Sequence, residues 1–235
     1  MSQDKTAVRD AATVIVLRDR MTSPSVLMGQ RGEKAVFFPS KFVFPGGAVD
    51  PFDAEAPLVE PLSERCRLRL REDSAADLSH ALAVAAIREL WEETGLMLGA
   101  PGSWQGALHP DWENFAASGH VPSARGMQFF FRAITPPGRP RRFDARFFLV
   151  DAREIAGDLD DFSAASEELS HLQWVPLQEA RDLDLPFITE VVLAELAANA
   201  RNAGPVPAVP FYKNDDEASL LYRLYGDVPM ESHGS

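Results

Sequence analysis

Cysteine is almost absent from this chain: Cys66 is the only one in 235 residues, so no disulfide can form within it. A lone thiol suits a reducing compartment, and the expected location is the cytoplasm. Cys66 stands between Arg65 and Arg67, which favours its thiolate, yet no base accompanies it in sequence. It is therefore read as structural rather than nucleophilic. Positive charge is scarce as well. Lys and Arg number 23 against 35 Asp and Glu, giving a formal net charge of -12. Nonspecific nucleic-acid binding needs a positive field around the phosphates, and this balance argues against it. Small anionic substrates stay possible, because a bound cation inverts the local field. Long apolar runs are missing too: none approaches the roughly 18 residues that span a bilayer, so no membrane partner is expected. Met1 to Asp10 is polar and lacks the apolar core of a signal peptide. The closing Ser232-His233-Gly234-Ser235 is not a recognisable address, and no internal repeat is visible.

What is present is ordinary for a globular chain, with 46% hydrophobic and 25% charged residues. That length is enough for one substantial core or two small ones. Ala11 to Leu17 is β-branched and apolar and reads as a buried strand, followed after a break at Met21 to Pro24 by a second at Ser25 to Gln30. Lys41 to Phe44 reads as a third, ending at Pro45-Gly46-Gly47. The segment from Asp50 to Asp73 carries Pro51, Pro57 and Pro61 and reads as a loop with a short helix around Leu62 to Arg71. Its Arg65, Arg67, Arg69 and Arg71 read first as a solvated helix face, with phosphate contact as the alternative. A main helix is expected from near Ser74, with Asp77 favouring its dipole and Leu78, Leu82, Ala85, Ala86, Ile87 and Leu90 as its apolar stripe. Further on, a helix is expected at Pro110 to Ser118 and an antiparallel pair at Gln128 to Ile134 and Arg146 to Val150, joined by strong turn signals. A strand at Leu172 to Pro176 and a helix from about Pro186 to Asn202 complete the pass. The last thirty or so residues are rich in proline and polar groups and suit an arm around the domain or a partner subunit. Strand pairs alternating with a few helices imply an α+β domain.

One stretch stands apart: Arg88-Glu89-Leu90-Trp91-Glu92-Glu93-Thr94-Gly95-Leu96. Glu89, Glu92 and Glu93 lie at i, i+3 and i+4, so a helix puts them on nearly one face. Like charges at that spacing repel, whereas a hard divalent cation wants several carboxylate oxygens converging. Gly95 is a plausible helix stop. Upstream, Gly46-Gly47 would let the backbone come close to an ion or a phosphate.

Together these residues resemble the Nudix hydrolase signature: a glycine, a five-residue gap, a glutamate, a seven-residue gap, then Arg-Glu-apolar-x-Glu-Glu-x-Gly-apolar. The second half matches at every fixed position. Counting back from Arg88 puts His80 at the isolated glutamate and Ser74 at the first glycine, while the glycine pair lies far upstream. The signature is thus read as split by an insertion at about 51–76, inside a single domain with its core at about 10–195 and a C-terminal extension at about 203–235. An inserted box resembles the branch containing peroxisomal coenzyme A diphosphatases, as do Val26 to Arg31, Phe42 to Asp50 and Arg141 to Phe148.

The resemblance implies a Nudix fold, a mixed sheet sandwiched between helices. It implies metal-dependent hydrolysis of a diphosphate linkage in a nucleoside diphosphate derivative, with coenzyme A or acyl-coenzyme A first in view. ADP-ribose or NADH hydrolysis and a non-catalytic ligand sensor stand as alternatives. Mg²⁺ or Mn²⁺ would be held by Glu89, Glu92, Glu93 and the Gly47 carbonyl, with Arg88 holding the glutamates in place. Glu92, Glu167 and Glu168 are candidates for the general base, each otherwise a surface carboxylate. His80 is read as structural. Arg31, Arg141, Arg142 and Arg146 are the candidate substrate-binding residues, with Arg139 beside them; the competing reading is a decorated hairpin paired to Asp144 or Asp151. Many relatives dimerise, and a homodimer is the implied assembly.

Overall fold

Val14, Ile15, Val16 and Leu17 are all fully buried, which means that their strand is covered on both faces. That strand, β1 (Val8–Arg18), lies at the centre of the sheet. The computed structural model describes residues 7–226 except 203, 205 and 215–218. After β1 come β2 (Ser25–Arg31), β3 (Phe42–Val43), β4 (Gly46–Ala48), a 3-10 turn at Pro51–Ala54, α1 (Glu64–Arg71) and α2 (Ser79–Thr94). A small separate hairpin pairs β5 (Gly99–Pro101) with β6 (His120–Pro122), with the short helix α3 (Glu113–Ala117) between them. The rest is β7 (Gln128–Ile134), β8 (Arg142–Asp151), β9 (Leu169–Pro176), α4 (Phe187–Asn199), β10 (Val209–Asn214) and β11 (Ser219–Leu224).

The main sheet runs β11-β10-β7-β8-β1-β2-β3, with β4 also on β1 and β9 also on β2. It is mixed: β1 with β8 and β7 with β10 are parallel, and the other pairs are antiparallel. Helices flank both faces. In β10, Phe211 and its neighbour Tyr212 project to opposite sides. Phe211 lies under the Arg132 guanidinium at 4.3 Å, and Arg132 donates to the Glu72 and Asp73 carbonyls just past α1. Tyr212 meets the ring of Phe187, the first residue of α4. The expected α+β sandwich is therefore the fold.

Most of α2 is apolar and packs on β1 and β4. Leu82, Ile87 and Leu90 are essentially buried, each contributing about 1.5–3 kcal/mol. The helix starts at Ser79, later than expected, because the Asp77 carboxylate accepts from the Ser79 N–H at 3.0 Å and from its hydroxyl at 2.6 Å. It stops at Gly95 in the left-handed conformation, φ 74°.

Three expectations are revised. β8 begins at Arg142 rather than Arg146, because its first residues pair in parallel with Val8 to Asp10. The C-terminal extension supplies β10 and β11 and so lengthens the sheet; its residues from 227 onward lie outside the described residues. Arg69 is not solvated. It is 2% exposed and donates to the Pro207 carbonyl at 2.6 Å, tying α1 to that extension. Among the described residues, no helix is long and apolar enough to cross a membrane.

Candidate functional site

The last two turns of α2 run beside β4. The Gly46 N–H donates to Glu93 Oε2 at 2.7 Å. A Cβ at Gly47 would lie 2.5 Å from Glu89 Oε2, so only glycine lets that carboxylate reach the strand. Gly46 is equally tight, since a Cβ there would lie 2.5 Å from the Ala12 carbonyl of β1. Gly46 is thus required by its approach to backbone, and Gly47 by the position of the Glu89 carboxylate.

Arg88 is 3% exposed and is held from several sides. Its Nε donates to Asp53 Oδ1 at 2.9 Å and its Nη2 to Asp53 Oδ2 at 3.1 Å. Its Nη1 donates to Glu89 Oε1 at 2.8 Å and to Glu92 Oε2 at 3.2 Å, and Nη2 also reaches the Ala48 carbonyl at 3.0 Å. Burial alone would lower the Arg88 pKa, but Asp53, Glu89 and Glu92 together raise it. Asp53, fully buried, is the residue the sequence reading missed. Counting forward from Gly47, the signature's five-residue gap puts Asp53 at the isolated glutamate, so the extra residues follow this position. His80, placed there by counting backward, instead bonds the Ala56 carbonyl at 2.9 Å, in keeping with a structural part.

The three carboxylates are crowded and partly withdrawn from water. Burial, opposed by Arg88 and reinforced by Glu92, pushes the Glu89 carboxyl up to about 7. Burial likewise raises Glu92. Burial and then the Glu89 charge raise Glu93 well above the carboxylate range, against the pull of Arg31 and the Gly46 N–H. Glu93 Oε1 is a buried oxygen with no hydrogen-bond partner among the described residues, an arrangement that costs free energy unless something else engages it. A hard divalent cation answers this donor set, and the donors fit one chemically. Among the described residues, no three histidine, cysteine or carboxylate side chains already converge on one point. Arg88 Nη1 draws Glu89 and Glu92 toward itself instead.

Arg31, at the end of β2, completes the cluster. Its Nη1 donates to Glu168 Oε1 at 3.1 Å, its Nη2 to the Gly46 carbonyl at 3.3 Å, and Nη2 lies 3.9 Å from Glu93 Oε1. Glu168 gets there because the Ser166 N–H donates to the Glu92 carbonyl at 2.8 Å, pinning the loop before β9 to the end of α2. Arg31, Glu89 and Glu168 border a cavity of about 790 Å³ that runs past Gly46 and Gly47 over the main sheet. Arg139 and Arg141 line it further along; Glu167 does not.

Two of the expected substrate-binding residues are placed elsewhere. Arg142 does not line the cavity, and its Nε donates to the Thr135 carbonyl at 3.1 Å across the β7–β8 turn. Arg146 is 2% exposed, lies outside the cavity lining, and is paired with Asp10 and, at 3.1 Å, with Asp144. The reason is strand alternation: Ala145 and Phe147 face the cavity, so Arg146 faces the other way.

A mixed sheet between helices, with an acidic helix end packed on a double-glycine strand beside a cavity, defines an α/β/α domain whose site combines carboxylates with arginines at the cavity edge. Comparison with known proteins gives that class its family. A NUDIX domain model matches residues 8–196, and the chain belongs to that family. It is 30% identical over 187 residues to a putative nudix hydrolase of Caenorhabditis elegans, covering 74% of this chain and 53% of that protein. It is 27% identical over 205 residues to an acyl-coenzyme A diphosphatase of Gallus gallus, covering 60% of this chain and 54% of that one. The chain thus spans about half the length of these curated relatives. Among solved structures, the NUDIX hydrolase of Alicyclobacillus acidocaldarius superposes with a TM-score of 0.61 at 29% identity, over 84% of this chain and 94% of that one.

Proposed function

We propose that this chain hydrolyses a diphosphate linkage in a nucleoside diphosphate derivative, with coenzyme A or acyl-coenzyme A as the first substrates to test. The observation that carries the reading is the placement of Glu89 against Gly47 and of Glu93 against Gly46 at one end of a large cavity, with Arg88 holding Glu89 and Glu92 and with Glu93 Oε1 accepting no hydrogen bond among the described residues. Magnesium or manganese, held by Glu89, Glu92, Glu93 and the Gly47 carbonyl, would screen the diphosphate charge and polarise its oxygens.

The chain's own residues divide the remaining work. Asp53 fixes Arg88, and Arg88 orients Glu89 and Glu92. Glu168, carried on the loop pinned to α2, stands at the cavity edge and takes the proton from the attacking water, with Glu92 as the other candidate base. The water oxygen forms its bond to one phosphorus as the bridging oxygen leaves with the other phosphate, so positioning and electrostatics supply most of the rate. Arg31 and Arg141 bind the phosphates by charge-assisted hydrogen bonds. Arg31 is already beside the Gly46 carbonyl and Glu93, and Arg141 lies along the lining.

The test is a panel of coenzyme A, acyl-coenzyme A, ADP-ribose, NADH and diadenosine polyphosphates, each offered to the purified protein with Mg²⁺ or Mn²⁺. Products are resolved by mass. Hydrolysis at a diphosphate supports the reading, and no turnover across the panel overturns it.

A further inference from the structure

The floor of the cavity is one face of the main sheet, and its register is unusual. Ala11 of β1 pairs with Ala145 of β8, Ala145 with Ala133 of β7, and Ala133 with Tyr212 of β10. On the other side Ala11 pairs with Ala48 of β4. All five line the cavity. Residues in register on adjacent strands form a straight row across a sheet. Here that row is a furrow of alanine methyls, flanked along β8 by the larger Phe143 and Phe147. The four alanines span three intervals of about 4.8 Å, so the furrow is roughly 14 Å long where it meets Tyr212. One end is Ala48, next to Gly47 and Glu89; the other is Tyr212, under Phe187.

The wall above the furrow is aromatic. Phe37 and Phe38 lie in the loop after β2, with ring centroids 4.0 Å apart, and Phe37 meets Phe143 edge-on at 5.2 Å. Phe38 holds φ 53°, a left-handed conformation that a bulky residue rarely adopts. The loop enforces it through bonds from the Ser40 N–H to the Arg31 carbonyl and from the Arg31 N–H to the Lys41 carbonyl. Strain held in place like this points to a use for the side chain. At the cavity mouth Val36 is 61% exposed and Phe187 63%, an apolar rim left uncovered among the described residues.

We propose that this furrow binds an extended, unbranched apolar chain attached to the diphosphate substrate. This deepens the reading above and rests on it for the diphosphate end only. A trough of small side chains, walled by Phe143 and Phe147 on β8 and by Arg9 and Thr13 on β1, leaves an apolar floor that suits a linear alkyl chain. The furrow's continuity with Gly47 and Glu89 places the diphosphate at its hydrolytic end. Ala145, at the centre of the row, sets the depth. The aromatic wall closes over the chain and removes it from water.

Binding can be read without turnover. Butyl, octyl and dodecyl phosphate, kept below their aggregation concentrations, are titrated into the full chain by calorimetry. Affinity should rise roughly fourfold per methylene from butyl to octyl phosphate. Ala145→Leu fills the middle of the furrow and should weaken dodecyl phosphate at least tenfold while changing butyl phosphate less than twofold. Should Ala145→Leu fail to fold, Phe38→Ala makes the same comparison from the wall. Equal affinity for butyl and dodecyl phosphate in the wild type overturns the proposal, as does undiminished dodecyl phosphate binding by the folded variant. A clear chain-length dependence alongside no hydrolysis in the diphosphate panel would keep the furrow and remove the proposed reaction. Hydrolysis of that panel with no chain-length dependence would do the reverse.

Discussion

Asp53 grips Arg88 with both of its oxygens while having no contact with solvent itself. A residue just past the double-glycine strand thereby fixes the acidic end of a helix far along the chain. Truncating one partner of a buried pair leaves the other charge uncompensated. Asp53→Ala should therefore destabilise the protein by about 3 kcal/mol. It should also cut turnover at least tenfold, since Arg88 no longer holds Glu89 and Glu92 in register. Chemical denaturation and kinetics at one pH check both, and wild-type values for either would detach Asp53 from the site.

Gly47→Ala places a methyl against the Glu89 carboxylate. The side chain can rotate away, so the fold should survive with a melting temperature near wild type. Activity and divalent-metal affinity should both fall at least tenfold. Isothermal titration with Mn²⁺ reads the second quantity directly, and an unaltered affinity would separate Glu89 from the metal.

Glu93→Gln keeps the acceptor for the Gly46 N–H and removes the buried charge. Turnover should drop at least tenfold without unfolding. The metal-free variant should be no less stable than the metal-free wild type, because the carboxyl it replaces is disfavoured as an anion by burial. A marked loss of stability would mean that the Glu93 charge is compensated in the fold.

Glu89 gives a pH signature with a definite sign. Its folded pKa, about 7, lies above the ordinary value of 4.5, so the folded state binds that proton more tightly than the unfolded chain. Its stabilising contribution is fully present below the ordinary value and is lost as pH rises through about 7. Wild type minus Glu89→Gln, both metal-free, should show stability falling across that window. Mg²⁺ binds the ionised form, so it should restore stability most strongly above neutrality. A flat difference across the window would place the carboxylate in open water.

The acidic half of the site was legible because helical spacing is local: Glu89, Glu92, Glu93 and the stop at Gly95 follow from a short run of residues. Gly46–Gly47 was legible as a close-approach site for a similar reason. Asp53 was hidden by the direction of counting, since a count back from Arg88 crosses the extra residues and a count forward from Gly47 does not. Arg146 was misplaced because β8 starts earlier than its apolar residues suggest, and the alternation that turns the guanidinium inward depends on the parallel partner β1. β10 was missed because Pro210 and a polar end disguise a strand whose pairing with β7 is non-local. The furrow could not be read from sequence, because no single strand contains it. It exists only in the register among five of them.

The hairpin of β10 and β11 has a practical side. The family match ends at residue 196, yet Tyr212 and Asn214 belong to the cavity lining. A fragment cut at the family boundary would keep the whole acidic helix and lose one end wall of the chamber. The converse also holds: exchanging this hairpin for another would resize the chamber while leaving Arg88 to Glu93 untouched. The proposed reacting groups and this end wall thus lie on separate stretches of chain, and an engineer can alter the wall without rebuilding the acidic helix.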